Sequence, residues 1–172
     1  ITRPQPLQVG SLSLPEVTAS GASTPFPFRA PKGEVLFVAF GYTNCPDVCP
    51  TTLADVAKAK ARLGDDGAKV QVAFATVDPE RDTPKVISAY LGSFVKGGHP
   101  LRTTDADAFA EVQDGFQVSS SVTKAADGTV EVTHTARSFV VDDQGRIAVE
   151  WPFGTKSDVM ADDLRILLRR AS

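Results

Sequence analysis

Cysteine and histidine are scarce in this sequence of 172 residues, which contains two of each. Two cysteines cannot form the dense disulfide framework that stabilises many small secreted domains. The chain also lacks an excess of one charge: 18 basic and 21 acidic residues leave a net charge of −3, so no basic nucleic-acid-binding face is expected. A membrane-spanning helix needs roughly 20 apolar residues, whereas the longest strongly apolar run covers only Val35 to Phe40.

The sequence does contain enough apolar residues to form the core of one domain. Hydrophobic residues make up 42% of the chain and charged residues 23%, which is ordinary for a globular protein, and the length fits a single domain. Residues 1–33 are rich in proline, glycine, serine and threonine, so we predict an irregular N-terminal segment there. Residues 34–172 are predicted to form the folded domain.

The order of apolar patterns predicts an α/β fold with a mixed sheet. The continuous apolar run at residues 35–41 is typical of a strand buried on both faces, and a second strand is predicted at residues 69–77. A helix is expected after each strand, the second one capped by Thr83. The rest of the chain is predicted to form a helix capped by Asp105, hairpins at residues 118–134 and 137–151, and a final amphipathic helix.

Cys45 and Cys49 lie where the first predicted strand gives way to the first helix. Ligands bind at the carboxyl ends of strands in α/β sheets, and the N–H groups at a helix start stabilise a thiolate, although Asp47 would oppose one. Thioredoxin-type redox pairs have two intervening residues, whereas this pair has three. The spacing suits two ligands of one metal ion and also permits a disulfide. A structural disulfide or two inert thiols are the alternatives.

The two histidines, His99 and His134, lie in different contexts. His99 follows two glycines and precedes a proline, so we predict an exposed turn. His134 alternates with Val130 and Val132 and therefore shares one face of a strand with them. On spacing alone, a core histidine bonded to a backbone carbonyl is the favoured interpretation. If the hairpin folds back over the cysteines, two thiolates and one imidazole would suit copper, with zinc as the chief competitor.

Three segments resemble, in the same order, the motifs of the Sco/SenC copper-chaperone family. The segment from Gly41 to Pro50, GYTNCPDVCP, resembles the signature of the family, and the segment from Val77 to Pro84, VDPERDTP, resembles its second motif. His134, eight residues before Asp142, resembles the distal histidine of the family. The resemblance implies a thioredoxin-like fold with an added hairpin that carries this histidine.

The resemblance also implies a function, a site and a location. One copper ion, Cu(I) or Cu(II), would be bound by Cys45, Cys49 and His134. The protein would be a metallochaperone for the binuclear copper centre of cytochrome c oxidase, with the copper-site subunit and other copper chaperones as partners. Alternatively, it would be a thiol–disulfide oxidoreductase that uses the two cysteines to reduce those of the oxidase. Bacterial relatives usually work in the periplasm, held by an N-terminal anchor, so we expect a membrane anchor upstream of Ile1.

Two regions depart from the family pattern or have an open role. Asn44 stands where the family often has histidine, and residues 1–33 match the family's opening hairpin poorly. Asp78, Glu80 and Asp82 follow the second strand, where they could dock a partner or influence the ligands. Turn and helix-cap chemistry is the favoured interpretation for Asp82 and the adjacent Thr83, and the role of Asp78 is left open.

Overall fold

The computed structural model describes residues 5–45 and 48–171, so Pro46 and the predicted influence of Asp47 lie outside the described residues. A 3-10 helix at Gly64–Lys69 links the first long helix to the strand that follows it. The strands and helices are, in chain order, β1 (Ser13–Val17), β2 (Ser23–Pro27), β3 (Val35–Gly41), α1 (Val48–Arg62), β4 (Val70–Thr76), α2 (Pro84–Gly92), β5 (His99–Leu101), α3 (Ala106–Phe116), β6 (Ser120–Lys124), β7 (Val130–His134), β8 (Arg137–Val141), β9 (Ile147–Pro152) and α4 (Ser157–Ala171).

Seven strands form one mixed sheet in the order β2-β1-β5-β4-β3-β8-β9. The central strands β3, β4 and β5 are parallel, whereas β8, β9 and the hairpin of β1 and β2 run antiparallel to their neighbours. Strands β6 and β7 form a separate two-stranded hairpin. This mixed sheet flanked by helices confirms the predicted thioredoxin-like α/β fold. Among the described residues, none of the helices is both long and apolar enough to cross a membrane.

Strand β3 forms the centre of the core because every one of its residues is buried. Phe37 and Ala39 face the cluster that includes Leu53 of α1, Ile87 of α2 and Leu164 of α4. The alternate residues of β3 face a second cluster on the other side of the sheet, together with Phe116 of α3. Full burial of a phenylalanine or leucine contributes about 1.5–3 kcal/mol, so the strand that leads to the cysteines is firmly anchored.

Local signals set both predicted helix starts. The Thr83 hydroxyl accepts a hydrogen bond from the Val86 N–H with Pro84 in the first turn, and the Asp105 carboxylate accepts from two N–H groups of α3. Both predicted caps are confirmed. Helix α2 ends at Gly92, and the Ser93 hydroxyl donates to the Tyr90 carbonyl at this end of the helix.

The irregular conformation predicted for residues 1–33 is wrong at β1 and β2. These strands pair with each other, and β1 adds to the main sheet beside β5. Pro15 lies opposite Pro25 in the hairpin, and its carbonyl accepts a hydrogen bond from Arg102 N–H on the β5 side. Proline is tolerated in β2 because an edge strand has one row of backbone groups that needs no strand partner.

The exposed turn predicted for His99 is also wrong. His99 is the first residue of β5, and its side chain is 23% exposed. Its Nδ1 lies 2.8 Å from a carboxylate oxygen of Glu16, and its Nε2 lies 2.9 Å from the amide oxygen of Gln71. Side chains from β1 and β4 thus hold the ring within the sheet, where it joins strands and contributes nothing to the cysteine site.

Candidate metal centre

The two cysteines lie at the carboxyl end of β3 and in the first turn of α1. The N–H of Cys45 donates to the Tyr42 carbonyl, which closes a turn directly after the strand. The N–H of Cys49 points at the Cys45 sulfur, 3.4 Å away, so the helix start faces that sulfur as predicted. Both thiols are buried and neither forms a disulfide.

The histidine of the distal hairpin reaches this pair of thiols. His134 is the last residue of β7, and its Nε2 lies 3.8 Å from the Cys49 sulfur. Its Nδ1 lies 3.1 Å from the Thr135 carbonyl, which can only accept, so in the neutral imidazole the proton is on Nδ1 and the lone pair of Nε2 faces the site. The ligand atoms of Cys45, Cys49 and His134 all lie within 4.8 Å of one another.

Several contacts hold the hairpin of β6 and β7 against the domain. The half-buried face of β7 carries Val130, Val132 and His134, which is the face that the alternation predicts. The His134 ring meets the Tyr42 ring edge-on, with 5.8 Å between the centroids. Gln113 of α3 donates to the Ser120 hydroxyl at 2.7 Å. The Tyr42 ring and the hydrogen bond from α3 to the hairpin therefore position the imidazole.

Burial dominates the electrostatics of the site. Desolvation raises the pKa of Cys49, and the adjacent Cys45 side chain raises it further, whereas a backbone hydrogen bond at Tyr42 acts in the opposite direction. Desolvation, together with the two thiols, also raises the pKa of the Tyr42 hydroxyl. In the metal-free protein Cys49 is therefore a neutral thiol at neutral pH.

The protonated state of Cys49 predicts a pH-dependent affinity for Cu(I). If Cys49 binds the ion, binding must remove this proton, because the thiolate and not the thiol is the form of cysteine that binds a metal. Below the raised pKa, affinity should therefore rise with pH, by about tenfold per unit for each proton released. Competition titrations between about pH 7 and pH 8 measure this slope. In Cys49→Ser, the slope of the logarithm of Cu(I) affinity against pH should correspond to one proton fewer. A Cu(I) affinity of the intact protein that does not change with pH would contradict the prediction.

Glycine at position 41 leaves room for the Cys49 sulfur. A Cβ atom built on Gly41 would collide with Cys49 Sγ and would lie 3.0 Å from the Phe74 ring. The φ angle of this glycine is not in the left-handed region, so space rather than backbone conformation requires the missing side chain. Sequence reasoning assigned Gly41 only to the family motif, because the sulfur that it accommodates lies in another element.

The acidic residues after β4 have three different roles. Asp78 pairs with Arg81, and the exposed Glu80 pairs with Lys124 of the hairpin. Thr83 caps α2 as predicted. Turn and cap chemistry does not account for Asp82, whose buried carboxylate accepts hydrogen bonds from Thr43, in the turn before Cys45, and from Thr76 at the end of β4. Thr43 is 39 positions away in the chain, so sequence reasoning missed this contact.

Two thiols and an imidazole that converge at the strand-to-helix junction of a thioredoxin-like domain define a class of protein that handles a soft metal ion or a disulfide. Residues 20–169 match the profile of the SCO1/SenC family. The chain belongs to this family.

Solved structures and a curated relative agree with this assignment. The structure of Bradyrhizobium japonicum ScoI with copper bound is 31% identical, with a TM-score of 0.75 over 90% of this chain and 97% of that chain. Apo Sco1 from Thermus thermophilus is also 31% identical, with a TM-score of 0.80 over 96% of this chain and 94% of that chain. An SCO2-like protein of Rickettsia prowazekii is 30% identical over 120 residues, which are 67% of this chain and 57% of that protein. The match therefore spans little more than half the length of that relative.

Proposed function

We propose that this protein binds one copper ion through Cys45, Cys49 and His134 and delivers it to the copper centre of cytochrome c oxidase during assembly. The convergence of three ligand atoms within 4.8 Å is the observation that carries this proposal. Two soft thiolates and one imidazole suit Cu(I), and imidazole also serves Cu(II). A structural zinc site would need four protein ligands, and the cluster formed by the described residues has three.

The placement of the ligands suits delivery to a partner. Cys45 and Cys49 belong to the buried core, whereas His134 is half-buried on a hairpin that forms a sheet of its own. The thiolates would hold the ion within the domain, and the imidazole would cover it from outside. Movement of the hairpin would remove one ligand and open the ion to the thiols of the oxidase copper-site subunit or of another copper chaperone. We place this exchange on the outer side of the cytoplasmic membrane.

A thiol–disulfide oxidoreductase that reduces the oxidase cysteines is the second candidate. The proximity of the two sulfurs favours it, since a disulfide could form between them. The raised pKa of Cys49 slows attack by that sulfur, because the attacking species in exchange is the thiolate. The metal-binding function uses all three convergent side chains, whereas the redox function needs only two.

Loss of the imidazole tests the proposed ligand set. In an anaerobic titration of the reduced protein against a Cu(I) chelator, we expect one ion per chain. His134→Ala should weaken this binding by at least about tenfold, since one of three ligands is removed, equivalent to about 1.4 kcal/mol. Exchange of the cysteines with a small disulfide should continue in the same variant.

The second histidine supplies the control for this experiment. His99→Gln removes the imidazole that bonds to Glu16 and Gln71 within the sheet, so Cu(I) affinity should stay at the value of the unmodified protein. Unchanged binding of both Cu(I) and Cu(II) in His134→Ala would show that the histidine is not a ligand. Full exchange activity combined with no copper binding in the intact protein would favour the oxidoreductase.

A further inference from the structure

We propose that Asp82 is a positioning residue for the pair of thiols. Its carboxylate ties the turn that contains Cys45 to the end of strand β4, and it thereby sets the distance between the two sulfurs. This inference deepens the proposed copper site. It concerns the metal-free dithiol as well, so it can be tested independently of copper binding.

Three hydrogen bonds tie the carboxylate to two other segments. One oxygen accepts from the Thr43 hydroxyl at 2.6 Å, and the other accepts from the Thr43 N–H at 3.0 Å and from the Thr76 hydroxyl at 2.7 Å. Thr43 precedes Cys45 by two residues, and Thr76 is the last residue of β4. Since Thr76 pairs with Gly41 across the parallel ladder, the carboxylate joins the turn after β3 to the end of the neighbouring strand.

Backbone contacts hold Asp82 itself in place. Its N–H donates to the Asp78 carbonyl at 2.9 Å, and its carbonyl accepts from the Arg102 guanidinium at 2.9 Å. The same guanidinium donates to the Pro79 carbonyl, so both ends of this loop are fixed. The carboxylate is therefore presented to Thr43 from a rigid support, as expected of a group that orients a neighbouring ligand.

The burial of this charge indicates a specific role. Asp82 is fully buried, and a buried carboxylate is unfavourable unless hydrogen-bond donors compensate it. Its donors come from the two segments that must be aligned. Its negative charge also opposes ionisation of Cys49. The position of the carboxylate and its charge are separate properties, and substitutions can distinguish them.

Asparagine keeps the geometry at this site and removes the charge. Its amide oxygen can accept from the Thr43 N–H and the Thr76 hydroxyl, and its NH2 group can donate to the Thr43 hydroxyl oxygen. Alanine removes all three contacts. If Asp82 acts through position, Asp82→Asn should behave like the unmodified protein and Asp82→Ala should not.

The test measures the thiol–disulfide equilibrium of the metal-free protein in a dithiothreitol buffer. Reduced dithiothreitol gives two electrons and two protons to the Cys45–Cys49 disulfide, which yields two thiols and the cyclic oxidised reagent. In Asp82→Ala the equilibrium should shift about tenfold towards the dithiol, because the buried turn loses its hydrogen bonds and the sulfurs separate. Asp82→Asn should lie within about threefold of the unmodified protein, and Cu(I) affinity should follow the same order.

Two further variants keep the result interpretable. Thr43→Val retains the backbone bond to Asp82 and loses only the hydroxyl contact, so it should shift the equilibrium in the same direction by about threefold. This variant decides the question if Asp82→Ala does not fold. Ile147→Ala, in the core cluster on the opposite face of the sheet, controls for a general loss of stability and should leave the equilibrium unchanged.

A shift in Asp82→Asn as large as that in Asp82→Ala would overturn the positioning role, as would an unchanged equilibrium in Asp82→Ala or in Thr43→Val. If the expected order of disulfide equilibria holds but the intact protein binds no copper, the inference about Asp82 survives and the proposed copper function fails. The two conclusions are thus separately tested.

Discussion

Replacing Cys49 with serine is expected to weaken Cu(I) binding by on the order of a thousandfold. Structural zinc sites in small proteins contribute about 10–16 kcal/mol through four ligands, or about 2.5–4 kcal/mol per ligand, and the upper end of this range corresponds to this factor. The serine hydroxyl is a hard and neutral ligand that Cu(I) does not favour. The measurement is an anaerobic competition titration against a strong Cu(I) chelator.

Cys45→Ser should lower the affinity for Cu(I) by a similar factor, because the Cys45 sulfur belongs to the same group of three convergent ligand atoms. Thr52→Val is the control. Thr52 lies one turn after Cys49 in α1 and has a half-buried polar side chain, so this variant should leave the affinity for Cu(I) unchanged. If both serine variants bind Cu(I) as tightly as the unmodified protein, the ion is held elsewhere. Full biological activity in the double variant would indicate a domain in which the cysteines serve only as a structural disulfide.

The elements around the cysteines were predictable because their signals are local. The apolar run of β3, the caps at Thr83 and Asp105, and the turns of the later hairpins all depend on neighbours in the chain. Such signals set where each element begins and which of its faces is apolar. They therefore predicted the strand-to-helix junction that carries Cys45 and the half-buried face that carries His134.

Contacts between distant segments were not predictable from spacing. His134 lies 85 positions from Cys49, and its alternation with two valines placed it on a face without indicating what that face contacts. Only the family resemblance implied that the hairpin folds back. The contact of Asp82 was hidden in the same way. Its partner Thr43 lies in another loop, so the neighbours of Asp82 in the chain indicated only a cap residue. The N-terminal strands were missed because prolines in β2 occupy an edge position that sequence composition does not reveal.

The geometry around Cys49 also predicts a large effect from one added methyl group. Gly41→Ala places a Cβ against the Cys49 sulfur and 3.0 Å from the Phe74 ring, so the new methyl group is crowded by both side chains. The sulfur must leave the position in which it faces Cys45 and His134, so Cu(I) affinity should fall on the order of a hundredfold, as when the support of a metal ligand is removed. Overpacking should lower the free energy of unfolding by about 1–3 kcal/mol. Copper competition and urea denaturation measure the two effects.

Substitution of a second glycine, Gly98, distinguishes a loss of copper affinity from a general loss of stability. A Cβ on Gly98 would lie 2.9 Å from the side chain of Leu91, which belongs to the same core cluster as Cys49 but lies in α2 and not at the strand-to-helix junction. Gly98→Ala should therefore destabilise the domain by a similar amount while it binds Cu(I) normally. Equal copper affinities in Gly41→Ala and Gly98→Ala would mean that the sulfur at position 49 can move without consequence. A ligand set that depends on three convergent atoms does not allow this, because displacement of one sulfur separates it from both partners.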